Sequence, residues 1–428
     1  MKEKFPYKKT FIVGLGFLGI SIIWPIFNSF IPIFLQAGNP EYEKQLLEAG
    51  REIPKIIGFG LGPSLAFFVM TWDNLINVFV QPWAGSRSDR TWNQFGRRKP
   101  WIIIGAPIAA AAFIFIPFAN TILAIMIFIL ITNFGMALFR SPTVAWLGDL
   151  FPAKQRSQAN GIINLMGGIG AAVALFGGGI LFDNLGRSAP FFAGGIFMLV
   201  SLSFALKFVK EPERINPEKQ EEKTVSVLDN LRSVWKGNNK NGIYVLLGIL
   251  LWFMGYEALQ TGLSSFSVFS LGLTPGQASI MTTLFAGSFI LFAIPSGLIA
   301  TRIGRKLTIS IGLVGMTVLF GLGYFLIDSR ITLGIILVLG GFCWALVNVN
   351  SLPLVYDYGE ETKIGAYTGL YYFSSQTAAV MGPVLSGVLV ESLGNNYRML
   401  WIFSTVFLFL AYLAIRPIKN NSTSLSAK

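Results

Sequence analysis

The chain contains no histidine and one cysteine, Cys343. Without histidine there is no Ser-His-Asp or Cys-His catalysis, no histidine-ligated zinc and no histidine proton relay. One cysteine builds no disulfide framework. Charge is scarce as well: 13% of the 428 residues are Asp, Glu, Lys or Arg, against about 25% in a soluble protein. It is also absent from long stretches. Residues 10–40, 100–139, 157–182, 331–356 and 364–390 carry none, and 241–301 carry only Glu257. A membrane-crossing helix needs about 20 apolar residues, so these runs are too long and too clean for a soluble core. A soluble enzyme, a disordered chain and a nucleic-acid-binding domain are excluded. No nucleophile–base pair, metal-ligand cluster or cofactor motif is visible, so no enzyme, metal or cofactor is expected. Proton chemistry must fall to carboxylates.

Hydrophobic residues make up 53% of the chain. Their runs predict an all-α integral membrane protein of twelve transmembrane helices, near 10–36, 58–85, 101–119, 121–149, 158–182, 189–208, 242–270, 278–300, 307–327, 332–356, 366–390 and 399–416. Two charge-free runs are split by turn chemistry, at Pro117-Phe118-Ala119-Asn120 and at Gly272-Leu273-Thr274-Pro275-Gly276. The basic start at residues 1–10 has a span-length apolar run behind it and no small-residue cleavage site, so it reads as the first helix and not as a signal peptide. With the N-terminus inside, 26 of the 33 Lys and Arg fall in inner segments, six fall outside and Arg140 lies within a helix. This bias puts both termini in the cytoplasm and the chain in the cell (inner) membrane. Basic residues facing an anionic leaflet account for the net charge of +12 without nucleic acid.

One long hydrophilic segment divides the chain into an N-terminal six-helix bundle (1–209), a cytoplasmic linker (210–240) and a C-terminal six-helix bundle (241–428). In the linker Val227, Leu231, Val234 and Trp235 share a helical face, suited to a membrane surface or to an ordinary linker helix. The longest outer loop, 37–57, has mixed charge. The halves look alike. Gly85-Ser86-Arg87-Ser88-Asp89-Arg90 and Gly96-Arg97-Arg98-Lys99 follow the second helix; Gly297, Arg302 and Gly304-Arg305-Lys306 follow the eighth, the two leading glycines standing 212 residues apart. Two pseudo-symmetric bundles with a substrate site between them at mid-membrane are the expected consequence.

The Gly85–Lys99 segment resembles the loop signature of the major facilitator superfamily. Its physical logic is a gate: an Asp at a helix end pairs with Arg or a helix terminus when the inner side is closed, and releases when it opens. Gly85, Asp89, Arg90, Arg97 and Arg98 form the first copy, and Arg302 and Arg305 belong to the second. Asp149, Asp357 and Arg156, near inner helix ends, read as gate or capping residues. A plain topological anchor would need the basic residues but not Gly85 or Asp89. Thr301 replaces the acid in the second copy, which should make it the weaker latch.

A narrower resemblance covers residues 70–170. Asp73-Asn74, Pro82, Gly85, Asp89-Arg90-Thr91 and Gly96-Arg97-Arg98-Lys99-Pro100-Trp101-Ile102 look like the second helix and loop of glycoside–cation symporters. Arg140-Ser141-Pro142-Thr143-Val144-Ala145, Asp149-Leu150 and Arg156-Ser157-Gln158-Ala159-Asn160-Gly161 resemble the sucrose–proton symporter family. The resemblance implies a disaccharide or other glycoside carried with a cation. Sodium-using melibiose-type relatives place two carboxylates on helix two where this chain has Asn77 and Gln81, so protons are the expected coupling ion.

Three ionisable residues sit deep in spans: Asp73, Arg140 and Glu257. Each costs roughly 2.5–3.5 kcal/mol to insert, so each is a functional candidate. Asp73 and Arg140 differ in depth by about 6 Å at 1.5 Å per residue. The expected switch has sugar hydroxyls competing for Arg140, which frees Asp73 to take up H⁺. A static pair joining two helices is the alternative. Glu257 is a rival proton carrier, a sugar ligand or a structural bond. A sugar also needs amides and aromatic faces. Near mid-depth stand Trp24 and Asn28; Trp72 and Asn77; Asn133 and Arg140; Asn164; Trp252, Tyr256, Glu257 and Gln260; Trp344 and Asn348; Tyr372 and Gln376. Interhelical bonding and packing are open alternatives for each. Glycines 167, 168, 170, 177, 178 and 179 suit close helix packing.

The reading is a secondary transporter, a monomer in the lipid bilayer, importing a sucrose- or maltose-like disaccharide by proton symport with alternating access. A sodium-coupled or uncoupled sugar carrier, a drug exporter and a non-transporting membrane sugar sensor are its rivals.

Overall fold

The computed structural model describes residues 5–211, 241–358 and 364–418. The linker stretch 212–240, with Val227, Leu231, Val234 and Trp235, and the inner basic residues Lys2, Lys4, Lys363, Lys419 and Lys428 lie outside them. The regular elements of the described residues are helices, with one isolated bridge between Asn93 and Gly96. In lipid every backbone N–H and C=O must find its partner within the protein, and a helix does this locally, segment by segment. The helices are α1 (Tyr7–Gln36), α2 (Pro40–Glu48), α3 (Pro63–Met70), α4 (Trp72–Arg90), α5 (Lys99–Phe115), α6 (Ile122–Leu150), α7 (Ala153–Leu185), α8 (Ala189–Phe208), α9 (Asn241–Phe269), α10 (Pro275–Ile303), α11 (Arg305–Leu326), α12 (Arg330–Tyr358), α13 (Ile364–Ser392) and α14 (Met399–Ile415). Counting α3 and α4 as one span, eleven are long and apolar enough to cross a membrane, and the shorter α14 makes twelve. Large apolar side chains point outward, Ile294 at 77% and Phe325 at 75% exposure, as lipid contact requires and water would not tolerate.

Each boundary has a local cause. Thr121 caps α6 by accepting from Ala124 N at 3.1 Å. Gly186, at φ +89°, ends α7, and Gly304, at φ +90°, opens α11; both conformations suit glycine alone. Three boundaries depart from the sequence expectation. The second span starts at Pro63 and turns at Thr71, one residue before α4. The fifth starts five residues early, so Arg156 and Gln158 lie on α7. The outer loop contains α2, which Asn39 caps by accepting from Glu41 N, with Tyr42 and Leu46 buried beneath it.

The chain forms two compact units. The first takes in α1, α2, α4–α8 and Gly272–Thr283; the second takes in Gly62–Phe68, α9, α10 from Leu284 onward, and α11–α14. In the first, α1 packs on α7 and α8, α5 on α6 and α8, and α4 on α6. Phe30 stacks on Phe182, and Phe113 lies 4.8 Å from Phe191. In the second, α9 packs on α13 and α14, and α11 on α12. Ser288 and Ser296 of α10 donate to Val338 O and Ala345 O of α12 at 2.6 and 2.8 Å. Numbered as spans, the same pairings occur in both units, first with fifth and sixth, third with fourth, second with fourth. Small residues make these approaches possible: a Cβ at Gly170 would lie 3.0 Å from Leu18 O. Gly177, by contrast, faces open space.

Candidate functional site

The Gly85–Lys99 segment folds into a charge hub. Arg98, 4% exposed, donates from Nε to Asp149 Oδ2 at 2.8 Å and from Nη1 to Ser88 Oγ, and pairs with Asp89. Arg97 pairs with Asp89 and approaches Asp149 at 3.9 Å. Burial works against the Arg98 charge, but Asp149 and Asp89 outweigh it and hold its pKa above the ordinary value. Gly85 has a packing reason, since a Cβ there would lie 2.8 Å from Ser141 Oγ of α6. A second carboxylate completes the hub. Glu211, just after α8, accepts from the backbone N–H groups of Arg97, Arg98 and Lys99 and from Trp146 Nε1 at 2.8 Å. Gly96, at φ +111°, leaves no room for a Cβ beside this carboxylate. Glu211 was not anticipated from sequence, because its partners lie 65 to 114 residues away.

Arg156 does not join the carboxylates. It donates to Phe151 O at 3.0 Å and Gly148 O at 2.9 Å, capping the end of α6. Arg90 is exposed and in no ion pair among the described residues, and so is Arg302. In the second copy Arg305 pairs with Asp357, at 43% and 40% side-chain exposure, while Thr301 only bonds its own helix at Leu298 O.

Deeper in the first unit, Asp73 stands in the first turn of α4 and within electrostatic reach of Arg140 on α6, though the two form no contact ion pair. The same unit has, on α1, α4 and α6, buried polar atoms with no hydrogen-bond partner in the protein: Trp24 Nε1, Asp73 Oδ1, Asn77 Oδ1, Thr132 Oγ1, and both amide atoms of Asn133, a residue 1% exposed. Nine in ten buried polar groups are normally paired, so orphans on α1, α4 and α6 of one unit are unusual. Trp72 is half-buried and is not without a partner in the protein. Asn28 and Asn164 are exposed.

A model of the major facilitator superfamily matches residues 10–275 and 268–427. The chain belongs to the major facilitator superfamily. It is therefore a multi-pass membrane transporter and not an enzyme. Among this facilitator's relatives is multidrug resistance protein 2 of Bacillus subtilis, 23% identical over 99% of each chain. Another is the class B tetracycline resistance protein of Escherichia coli, 20% identical over 78% of this chain and 81% of that one. The cis,cis-muconate transport protein of Acinetobacter baylyi is 24% identical over 57% and 60%. None of these three is named for a sugar, so the likeness to sucrose–proton symporters rests on the motif residues alone. The nucleoside transporter NupG has the same fold, with TM-score 0.71 at 17% identity over 96% of this chain and all of that one. A transporter of the POT family solved with 5-aminolevulinic acid gives 0.72 at 13% identity over 95% of each.

The facilitator's second unit offers rings more than amides. Tyr256 stacks on Trp344, centroids 4.0 Å apart and planes within 6°. Phe253 meets both edge-on, and Phe285 lies 6.0 Å from Tyr256. Trp344 is 3% exposed and Trp252 is fully buried. Glu257, beside Tyr256, is half-buried and has partners within the protein. Gln260 and Asn348 are half-buried, and Tyr372 and Gln376 are exposed.

Proposed function

We propose that this facilitator imports a neutral, hydroxyl-rich solute of the disaccharide class together with protons. The observation that carries the reading is a set of orphaned buried atoms on α1, α4 and α6 of the first unit: two amides, an indole N–H, a hydroxyl and a carboxylate oxygen, the last with one cation, Arg140, in electrostatic reach. Donors and acceptors in that ratio match hydroxyls, which both donate and accept. An anionic solute would call for more than one buried cation, and a lipophilic one would leave these groups unpaired at about 1–3 kcal/mol each. Asp73 is the proton carrier. Arg140 lies within its electrostatic reach, and solute hydroxyls that engage Arg140 free the carboxylate to take H⁺. Solute and proton then bind with mutual advantage, as linkage demands. The gate residues Asp89, Arg97, Arg98 and Asp149 work at the inner end.

The second reading is export of an amphipathic drug, favoured by the multidrug and tetracycline resistance relatives. One assay separates the two. Purified protein in liposomes is offered sucrose, maltose and a lipophilic cation, each under a pH gradient and separately a Na⁺ gradient. The proposal expects saturable disaccharide uptake driven by the pH gradient. Cation movement with no disaccharide uptake would overturn it.

A further inference from the structure

The second and eighth spans are counterparts in register. Pro63 and Pro275 start them, Gly85 and Gly297 stand further along, and each pair is 212 residues apart. The eighth span, α10, runs unbroken from Pro275 to Ile303. The second breaks at Thr71 into α3 and α4. At the same register Thr71 matches Thr283, whose Oγ1 bonds Ser279 O one turn back inside α10. The charged group at this level is Asp73, where α10 has Phe285. Passage between the two compact units does not by itself break a helix. Span two passes from one to the other at Phe68–Val69, but α10 does so at Thr283–Leu284 and stays whole.

A broken helix needs its freed N–H groups satisfied, above all in lipid. Thr71, 1% exposed, is the N-cap of α4 but makes no capping bond with its side chain. The Asp73 carboxylate lies against the backbone N–H groups of Asn74 and of Asp73 itself, in the first turn of α4, while its Oδ1 is buried without a hydrogen-bond partner. A negative charge at a helix start is favoured by hydrogen bonding and by the helix dipole together. We propose that the break at Thr71 is a hinge set by the proton: ionised Asp73 holds span two broken by accepting from the first turn of α4, and protonated Asp73 lets the span close into a continuous helix like α10. On protonation the carboxyl becomes a weak acceptor, and the N–H groups of Trp72, Asp73 and Asn74 turn to the carbonyls of Phe68, Val69 and Met70, one turn back. The proton then alters the bend of a span with no solute present, and by linkage a straightened span binds the proton more tightly. The proposal rests on the reading of Asp73 as proton carrier.

The charges that bear on Asp73 are few. On α6, packed against α4, they are Arg140, in electrostatic reach, and Asp149, held in the inner hub. The other charges of α4 are Arg87, Asp89 and Arg90, at its inner end. Helix α3 carries none. Phe67 of α3 would meet a Cβ at Gly262 of α9 or at Gly387 of α13, and those two helices carry one acid each, Glu257 and Glu391.

The test reads the shape of span two and uses no solute. Cys343→Ala removes the native thiol, and spin labels are attached at Leu65→Cys and Phe79→Cys. These positions are 43% and 76% exposed and about 21 Å apart along a straight helix. Their separation is measured by pulsed electron spin resonance in lipid nanodiscs at mildly alkaline and mildly acid pH. The parent should shift by a few ångströms toward the straight-helix separation as the pH falls. Asp73→Asn should hold one distribution at both pH values, and Asp73→Phe, which copies Phe285 of the other half, should hold the straight one. Glu257→Gln should leave the shift in place. A parent with the same separation at both pH values would overturn the proposal. So would a shift that survives in Asp73→Asn or that Glu257→Gln removes. Loss of uphill uptake in Asp73→Asn alongside an unmoved parental separation would refute the hinge and leave the carrier reading standing.

Discussion

The two copies of the inner loop should differ in how much they hold, and the difference can be worked from burial. Arg98 has 5% side-chain exposure and its partner Asp149 has 18%. Removing Arg98 leaves Asp149 with only Arg97, 3.9 Å away, in a mostly dry setting and also strips Ser88 and Asp89 of a donor. Breaking a buried pair from one side costs about 3–5 kcal/mol; partial exposure of both carboxylates brings this toward about 3. Arg305 and Asp357 are 43% and 40% exposed, and an ion pair that wet is worth about 0–1 kcal/mol. At about 2–4 °C per kcal/mol for a unit of this size, Arg98→Ala should lower the apparent melting temperature in detergent by about 6–12 °C. Arg305→Ala should lower it by no more than about 4 °C. The assay is loss of the monodisperse peak after heating. Equal losses, or a larger loss for Arg305→Ala, would refute the reasoning that burial and not motif membership sets the strength of each copy.

Asn133→Leu should raise stability by about 1–3 kcal/mol, because two orphaned buried atoms are replaced by a side chain of similar volume, and it should weaken solute binding; a variant that is both less stable and fully active would contradict the site. Glu211→Ala should cost about 2–4 kcal/mol, since it strands Trp146 Nε1 and three backbone N–H groups at the start of α5, read as a fall in melting temperature that Glu211→Gln only halves. Asp73→Asn should keep solute exchange across the membrane while losing net accumulation, read by counterflow and by uphill uptake on the same preparation.

The helices were legible because membrane insertion is decided run by run. Charge-free stretches and Lys/Arg placement carry that information locally, and 101–119 or 332–356 needed no partner to be recognised. What decides pairing is not local. The turn at Thr71 is a single residue within an apolar run. Glu211 finds Trp146 and the α5 start only once α8 has packed. Tyr256 stacks on Trp344, a pairing that residue type alone does not reveal. Helix α2 was hidden by mixed charge, although Asn39-Pro40 followed by Glu41 and Glu43 is a helix-start signal. The loop motifs repeat at 212 residues at Gly85 and Gly297 but at 208 at Gly96 and Gly304, so no single offset aligns the two halves.

The proposed function turns on Asp73 as the proton carrier. The most direct measurement is uptake of radiolabelled sucrose and maltose into proteoliposomes with an acid exterior, for the parent and Asp73→Asn side by side. The account predicts saturable accumulation above equilibrium by the parent, collapsed by a protonophore, and equilibration without accumulation by the variant. Accumulation that survives in Asp73→Asn, or no disaccharide uptake under any gradient, would contradict it.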